Sequence, residues 1–376
     1  MIYFDYTATT PVNEEVLASY IQTTKTYWGN PSSLHKFGVK ADNLLNLARK
    51  QMCELIDADN HDVIFTASAT EASNLAIKGV AHRYQERGKH LITTIVEHPS
   101  VYNTFLSLEK AGFDVTFLDV DKSGRVNIED LKKAIRKDTI LVSMMYVNNE
   151  IGTIMPVYEV GEILKDYYKI VFHVDIVQAI GKIPVSLSKM HADLASISAH
   201  KIYGLKGSGA LFVRRGVELE PQTLGGSQEY NLRAGTVDVP SAVAFAKAMR
   251  LILTDLDKNY EYVKMLNEKM RTILSAYDQF VINSPAEQCS PYIINFSLRG
   301  IKGETFVHAL EKNEIYVSTK SACSSKNNKA SRVLLAIGRD QELASNEIRI
   351  SLSHLTTLEE LDIFNKVLRR VIQELT

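Results

Sequence analysis

The sequence of 376 residues contains only three cysteines, Cys53, Cys289 and Cys323, which lie far apart. Cysteines this few and scattered exclude a disulfide framework and a zinc cluster, and they are typical of a reducing compartment. The sequence also lacks an apolar run of the roughly 18 residues that a membrane helix needs. Its first residues lack the basic and then apolar pattern of a secretory signal. We therefore expect a cytoplasmic protein with no membrane partner and no metal site.

An excess of charge is absent as well, because 43 Lys and Arg residues balance 44 Asp and Glu residues. A net charge of −1 argues against a broad nucleic-acid-binding surface, which would be basic. The chain lacks the glycine-rich fingerprints of dinucleotide and P-loop sites. Residues 119–130 begin like a calcium loop but lack its flanking helices and its final glutamate. We interpret this segment as a turn.

Short apolar or β-branched runs alternate with amphipathic stretches through the first 213 residues. This alternation predicts right-handed crossovers and a largely parallel sheet that is covered on both faces. The predicted strands are 63–66, 90–96, 115–118, 140–146, 170–174, 194–198 and 210–213. The predicted helices are 70–87, 100–111, 128–136 and 157–167.

The remaining pattern predicts a second, smaller unit. The stretch 240–274 has few helix breakers and predicts a long helical run that connects to this second unit. The strands predicted beyond it are 293–298, 316–318 and 348–352, and the helices are 305–312, 331–337 and a terminal helix from Leu358. This order predicts a small α+β domain.

Four polar clusters follow predicted strands, which is where ligands lie in parallel α/β folds. Lys201 is placed to form a Schiff base, and Asp175 to pair with a protonated pyridine nitrogen. The helix start at 66–71 suits a phosphate, and His98 suits stacking on an aromatic cofactor. Each signal alone also fits an ordinary role, such as a solvated lysine, a helix cap or a packed histidine. Together they match what pyridoxal phosphate requires.

These motifs extend almost from end to end of the chain. They include Asp5-Tyr-Thr-Ala-Thr-Thr-Pro11, Glu97-His98, His173-Val-Asp175, Ser198-Ala-His200-Lys201-Ile-Tyr-Gly204 and Ser321-Ala-Cys323-Ser. In these segments the sequence resembles the NifS/IscS-like cysteine desulfurases, within the class V aminotransferase family of pyridoxal-phosphate enzymes. The resemblance implies the type I fold of these enzymes, with a mostly parallel seven-stranded sheet in a large domain and a smaller α+β domain. It implies that segment 1–15 joins the small domain, that 16–255 binds the cofactor, and that 256–376 carries the catalytic cysteine loop.

The resemblance also implies three catalytic residues. Lys201 holds pyridoxal 5'-phosphate as a Schiff base and moves the Cα proton of the substrate. Cys323 takes the substrate sulfur as a persulfide, and His98 stacks on the cofactor and adjusts protons on the thiols. The activity implied is conversion of L-cysteine to L-alanine with transfer of sulfur to Cys323.

Further residues are assigned to the cofactor and the substrate by the same resemblance. Asp175 pairs with the pyridine nitrogen, and Gln178 hydrogen-bonds the phenolic oxygen. Arg349 takes the substrate carboxylate, since its planar fork forms two parallel hydrogen bonds. The other implied cofactor contacts are Ala69, Thr70, Asn149 (which also lines the substrate), Ser198, His200 and Thr236, the last reaching the phosphate of the partner subunit.

Partners and alternatives follow from the same comparison of motifs. The resemblance implies a homodimer and a protein that accepts sulfur, either an iron–sulfur scaffold or a tRNA-thiolation enzyme, with no direct contact to nucleic acid. Another class V enzyme, an aminotransferase or a selenocysteine lyase, is an alternative. A second alternative is a non-catalytic sulfur carrier. Such a protein would be expected to lack Lys201 or Asp175, and both are present. The chain departs from the usual family residues at Ser227, Lys320 and His354.

The choice among the three cysteines rests on their surroundings. Cys53 lies in an apolar helical pattern and is predicted to pack in the core. Cys289 lies in a polar turn without basic neighbours. Cys323 lies in a short polar segment typical of an exposed loop. Its basic neighbours, which should favour the thiolate, are Lys320, Lys326 and Lys329.

Overall fold

Residues 1–319 and 330–375 are described in a computed structural model of the chain. Its helices are α1 Glu14–Thr26, α2 Lys36–Glu54, α3 Ala69–Tyr84, α4 Pro99–Lys110, α5 Ile128–Ala134, α6 Val157–Leu164, α7 Val239–Thr254, α8 Leu256–Leu274, α9 Gly303–Glu311, α10 Arg332–Ala336, α11 Gln341–Ser345 and α12 Leu358–Leu375. Its strands are β1 Ile2–Tyr3, β2 His61–Thr66, β3 His90–Thr94, β4 Asp114–Leu118, β5 Thr139–Met145, β6 Val171–Asp175, β7 Leu194–Ser198, β8 Gly209–Arg214, β9 Phe280–Ile282, β10 Ile293–Leu298, β11 Ile315–Tyr316 and β12 Glu347–Ser351.

A seven-stranded sheet with the order β2-β8-β7-β6-β5-β3-β4 forms the centre of the fold. Only β8 runs against its neighbours, β2 and β7, so the sheet is mostly parallel, as predicted. All seven predicted strands are present, with small shifts at their ends. Every residue of β3, β5, β6 and β7 is buried, which explains their continuous apolar or β-branched character.

The helix starts next to the sheet are set by side-chain caps. The Ser68 hydroxyl accepts a hydrogen bond from the backbone N–H of Glu71 at 3.2 Å, and α3 begins directly after it. His98 caps α4 in the same way through Ser100, and Pro99 occupies the first helical position, where its missing N–H is not needed. These caps place both helix starts directly after the ends of β2 and β3.

The long helical run predicted over 240–274 is present, but the chain forms it as two helices. α7 and α8 are separated at Asp255, whose backbone leaves the helical region at φ −107° and ψ 23°. The physical reason is tertiary: α7 packs against α1 and α2, whereas α8 packs against β10 and α12. Aspartate, a weak helix former, stands where the chain changes direction.

Two small sheets are formed by strands from the last third of the chain and by the N-terminal strand β1. β9, β10 and β12 form an antiparallel sheet, and β1 pairs with β11 in parallel. Further bridges join Asp5 to Ser351 and Ser318 to Arg349. The N-terminal residues therefore lie beside the strand that carries Arg349. The division into domains at 15 and 255 stays a prediction.

Two sequence expectations concern smaller features. The Asp121 carboxylate accepts hydrogen bonds from the backbone N–H groups of Ser123 at 2.8 Å and Arg125 at 3.0 Å, so this segment is a turn, as interpreted. Within residues 1–319 and 330–375, no helix is both long enough and apolar enough to cross a membrane.

Candidate active site

A cavity of about 180 Å³ contains almost every residue that the sequence singled out. The predicted residues that line it are Ala69, Thr70, His98, Asn149, Asp175, Gln178, Ser198, His200, Lys201 and Arg349. They come from the ends of several strands of the large sheet and from β12, so they are far apart in sequence. Thr236 is exposed and does not line this cavity, and Cys323 lies outside the described residues.

One end of the cavity is formed by the start of α3. The first backbone N–H groups of a helix have no partner within it and favour an anion. Ser198 and His200, which follow β7, line the same cavity as Ala69 and Thr70. A Cβ atom on Gly209 would lie 2.4 Å from the carbonyl carbon of Ser68, so only glycine lets β8 pass this close to the turn.

Lys201 and Asp175 are the charged groups at the centre of the cavity. The Lys201 Nζ atom donates to the carbonyl oxygens of Thr7 at 2.5 Å and Ala8 at 2.7 Å. Asp175 accepts a 3.0 Å hydrogen bond from the Val177 N–H. Burial raises the pKa of Asp175 to about 6, while the N–H of Val177 and the charge of Lys201 act in the opposite direction. The carboxylate is therefore mostly ionised at pH 7.

His98 is neutral at pH 7, because burial above all, and then the positive charges of Lys201, Arg332 and Arg349, lower its pKa to about 4. The Ser100 N–H donates to its Nδ1 atom at 3.1 Å. The ring proton consequently resides on Nε2, since Nδ1 acts as an acceptor.

Arg349 is almost fully buried, with 1% of its surface exposed. Its Nη1 atom donates to the Asn149 carbonyl at 3.0 Å, and Nη2 donates to the Asp5 carboxylate at 2.9 Å. Its Nε atom has no partner among residues 1–319 and 330–375. A buried donor without a partner is rare, and an incoming carboxylate is the kind of ligand that satisfies it.

Cys53 and Cys289 are poor nucleophiles in this structure. Burial raises the pKa of each thiol to about 11. No basic residue lies near Cys289 in the sequence, but the fold brings Arg271 beside it. Burial raises the pKa of the Cys289 thiol more than the charge of Arg271 lowers it. Neither thiol supplies a thiolate at neutral pH, which leaves Cys323 as the candidate.

Sequence reasoning missed two contributors to the site. Thr7 and Ala8 were noted only as part of a family motif, yet their carbonyl oxygens receive the Lys201 amine. Lys182 was not singled out, although its Nζ atom lies 2.5 Å from the Gln178 side-chain oxygen. No pattern in the sequence reveals that a lysine in the segment after β6 is buried.

Comparisons with known proteins agree with this site. Residues 2–364 match the aminotransferase class-V family. The chain is 47% identical to the NifS/IcsS protein homolog of Lactobacillus delbrueckii subsp. bulgaricus over 366 residues, which cover 97% of this chain and 95% of that protein. It is 44% identical to cysteine desulfurase IscS of Dictyoglomus turgidum over 375 residues, covering 100% of this chain and 95% of the relative. A solved structure of a NifS-like protein superimposes with a TM-score of 0.93 at 38% identity, with 100% of both chains covered.

The fold and the site thus define a class V enzyme of the pyridoxal-phosphate type, and the chain belongs to the aminotransferase class-V family. Within that family it is a member of the NifS- and IscS-like cysteine desulfurases.

Proposed function

We propose that this protein converts L-cysteine to L-alanine and carries the released sulfur as a persulfide on Cys323. The observation that carries the proposal is that Lys201, Asp175 and Arg349 line one cavity. A carboxylate, an amine and a buried guanidinium in one cavity suit the binding and deprotonation of an amino acid. Membership of the desulfurase group supports the choice of L-cysteine as substrate.

The residues present fit pyridoxal 5'-phosphate as the cofactor. The start of α3 with Thr70, Ser198 and His200 forms an anion-binding end, and the buried Asp175 carboxylate suits a protonated ring nitrogen. Lys201 is the amine that attaches the cofactor covalently. When bound, pyridoxal phosphate withdraws electrons from the substrate Cα and so makes its proton removable.

The roles proposed for the chain's own residues are those that the family resemblance implies. Lys201 takes the Cα proton of the substrate, Asp175 keeps the ring nitrogen protonated, and His98 stacks on the ring and exchanges protons with the thiols. Arg349 binds the substrate carboxylate beside Asn149. Gln178 donates to the phenolic oxygen.

Sulfur transfer needs no external oxidant. The substrate Cβ–S bond breaks as the Cys323 sulfur forms a bond to the substrate sulfur. One L-cysteine and one thiol therefore become one L-alanine and one persulfide, and all atoms balance. Cys323 lies outside the described residues, and the raised thiol pKa values of the other two cysteines support its assignment.

The wider setting of the reaction is part of the proposal. A cytoplasmic homodimer passes the persulfide sulfur to an acceptor protein, either an iron–sulfur scaffold or a tRNA-thiolation enzyme. Trp28, Leu34 and Leu224 are 74%, 99% and 83% exposed in the single chain, which is the kind of apolar surface that a second copy covers. Thr236, exposed and outside its own cavity, then reaches the cofactor phosphate of the partner. Segment 1–15 joins the small domain, 256–376, and 16–255 forms the large one.

The proposed function is tested by supplying the purified, cofactor-loaded protein with L-cysteine and a thiol reductant. We expect alanine and sulfide in equal amounts, because each turnover releases one of each once the persulfide is reduced. Parallel reactions contain selenocysteine, or another amino acid with a keto-acid acceptor. Amino-group transfer to the keto acid without sulfide from cysteine would instead identify an aminotransferase.

Replacing Gly209 by alanine is expected to weaken cofactor binding. The added methyl group must displace the Ser68–Ala69 backbone, whose nearest atoms would lie at 2.4 to 2.8 Å. Because overpacking of this kind typically costs about 1–3 kcal/mol, we expect the Kd for pyridoxal phosphate to rise roughly tenfold.

The measurement is an absorbance titration of the cofactor-free protein with pyridoxal phosphate. Gly303→Ala is the matched control, because its Cβ atom would meet no atom closer than 3.4 Å. Equal Kd values for Gly209→Ala and the unaltered protein would show that the turn at Ser68 does not hold the phosphate.

A further inference from the structure

We infer that Lys182 is a positioning residue that orients the side-chain amide of Gln178, so that Gln178 presents an N–H group to the cofactor's phenolic oxygen. The inference rests on the proposed function, because it assumes that pyridoxal phosphate occupies the cavity. It adds a residue to the site that does not line the main cavity and that neither the motifs nor the charge pattern indicated.

Lys182 is unusual because it is a buried amine without a carboxylate partner. Only 7% of its surface is exposed, and it lies one helical turn after Gln178. Its Nζ atom donates to the Gln178 Oε1 atom at 2.5 Å. Within the described part of the chain it forms no ion pair. Burial of a charged group without a counter-charge is costly, so an amine retained in such a place commonly serves a nearby site.

The contacts on both ends of the Gln178 amide determine its orientation. The oxygen and nitrogen of an amide have nearly the same shape, so their hydrogen-bond partners decide which is which. The Lys182 amine offers N–H donors, so the atom facing it is the oxygen. The Thr7 carbonyl, 3.2 Å away on the other side, is an acceptor, so the atom facing it is the nitrogen.

This orientation leaves one N–H of Gln178 for the cavity. The amide nitrogen has two hydrogens, and Thr7 accepts only one of them. Gln178 itself lines the cavity, so its second N–H is available to an ionised phenolic oxygen there. If Lys182 were removed, the buried Oε1 atom would lose its hydrogen-bond donor. Rotation of the amide toward another donor would then be energetically favourable.

The charged groups near Lys182 are also part of the cavity or next to it. Burial, followed by the positive charges of Lys201 and Arg349, lowers the pKa of Lys182 to about 7. Lys182 in turn contributes to the lowered pKa of His200. The amine carries N–H donors in either protonation state. Because the amine donates in both states, the orientation of Gln178 does not depend on the charge of Lys182, and the Thr7 carbonyl acts together with Lys182 rather than in its place.

A second, small cavity lies next to Lys201. It borders Lys182, Lys201, Tyr292 and His354, and it has room for about 10 Å³. The Tyr292 hydroxyl and the His354 Nδ1 atom are buried without a partner among the described residues. Neither of these two groups is bonded to Lys182, whose hydrogen bond among the described residues goes to Gln178.

The test uses the cofactor-loaded enzyme and Lys182→Met, which keeps the length of the side chain and removes the donor. The readout is the pH titration of the absorbance of the bound cofactor. Loss of the Gln178 N–H should raise the midpoint by about one pH unit, since a hydrogen bond to a charged oxygen is worth at least that much. The kcat/KM for L-cysteine should fall roughly tenfold.

Four further variants separate positioning from packing. Gln178→Ala should raise the midpoint similarly, and Lys182→Met should add nothing in that background. Lys182→Arg, which keeps a donor, should have a midpoint close to that of the unaltered enzyme. Lys165→Met, at an exposed ion pair with Glu162, is the control and should leave the midpoint unchanged.

Two results would overturn the inference while the proposed function stands. One is a Lys182→Met enzyme whose midpoint equals that of the unaltered enzyme, even if its thermal stability is lower. The other is a Gln178→Ala/Lys182→Met double variant whose midpoint is raised by the full Lys182→Met shift beyond that of Gln178→Ala. This result would mean that Lys182 acts through another group. An unaltered protein that takes up no cofactor would overturn both the inference and the proposed function.

Discussion

Replacing Cys323 by serine is expected to abolish alanine and sulfide production from L-cysteine while the protein keeps its cofactor. A serine hydroxyl stays protonated at neutral pH and cannot accept sulfur as a persulfide. The rate should therefore fall by roughly 10³-fold or more, a scale typical of the removal of an enzyme's nucleophile. Cofactor absorbance should be unchanged, because the cofactor contacts lie on other segments. The measurements are alanine by chromatography, sulfide by colour reaction and the absorbance of the bound cofactor.

Cys53→Ser and Cys289→Ser are the controls for that experiment. Burial raises the pKa of both thiols, so neither is ready to attack sulfur, and both variants should retain most of the activity. Mass spectrometry of the unaltered protein after a single turnover should find one extra sulfur atom on the peptide that contains Cys323. Near-normal turnover by Cys323→Ser, or sulfur found on Cys289, would assign the nucleophile to another residue.

Replacing Lys201 by alanine is expected to remove both the covalent attachment of the cofactor and the transfer of the Cα proton. The amine donates to Thr7 and Ala8 inside the cavity, and within the described part of the chain no other lysine lines it. Proton transfer by a positioned side chain contributes typically about 10²–10⁴-fold, so the rate should fall at least by that factor. Borohydride reduction followed by mass spectrometry should show the cofactor mass on the unaltered chain and not on the variant.

Lys206→Ala is the matched control, because Lys206 is an exposed lysine in the turn that follows Lys201. It should keep the covalent cofactor and most of the activity. A thermal unfolding curve distinguishes loss of chemistry from loss of fold. Cofactor mass retained on Lys201→Ala after reduction would place the attachment elsewhere, and a normal rate of alanine release would rule out Lys201 as the base.

The pKa values in the cavity give these two predictions a common physical basis. Burial, opposed by the Val177 N–H and the charge of Lys201, raises the pKa of Asp175 to about 6, and burial together with nearby positive charges lowers the pKa of His98 to about 4. At pH 7 the site thus holds an ionised carboxylate and a neutral imidazole. An ionised carboxylate at this position would keep the ring nitrogen of a bound pyridoxal phosphate protonated.

Much of the large sheet was predictable because its signal is local. Parallel strands that are buried on both faces need continuous apolar runs, and 194–198 and 170–174 could be recognised on that ground. The polar residues that follow these strands, Asp175 and Lys201, were predictable because ligands bind at the carboxyl ends of parallel strands. The break at Asp255 was not predictable, since it depends on which neighbours α7 and α8 pack against.

The sequence by itself determined the alternating strand and helix order, the residues able to carry the chemistry and, through its motifs, the family. Only the tertiary structure decided that the Thr7 carbonyl meets Lys201, that Asp5 meets Arg349, and that Lys182 is buried against Gln178. The first two contacts join residues more than 190 positions apart. Lys182 is close to Gln178 in sequence, but its burial depends on the strands and loops packed around it. Local patterns report the backbone and the exposed face of a segment, whereas such contacts depend on which distant surfaces the folded chain brings together.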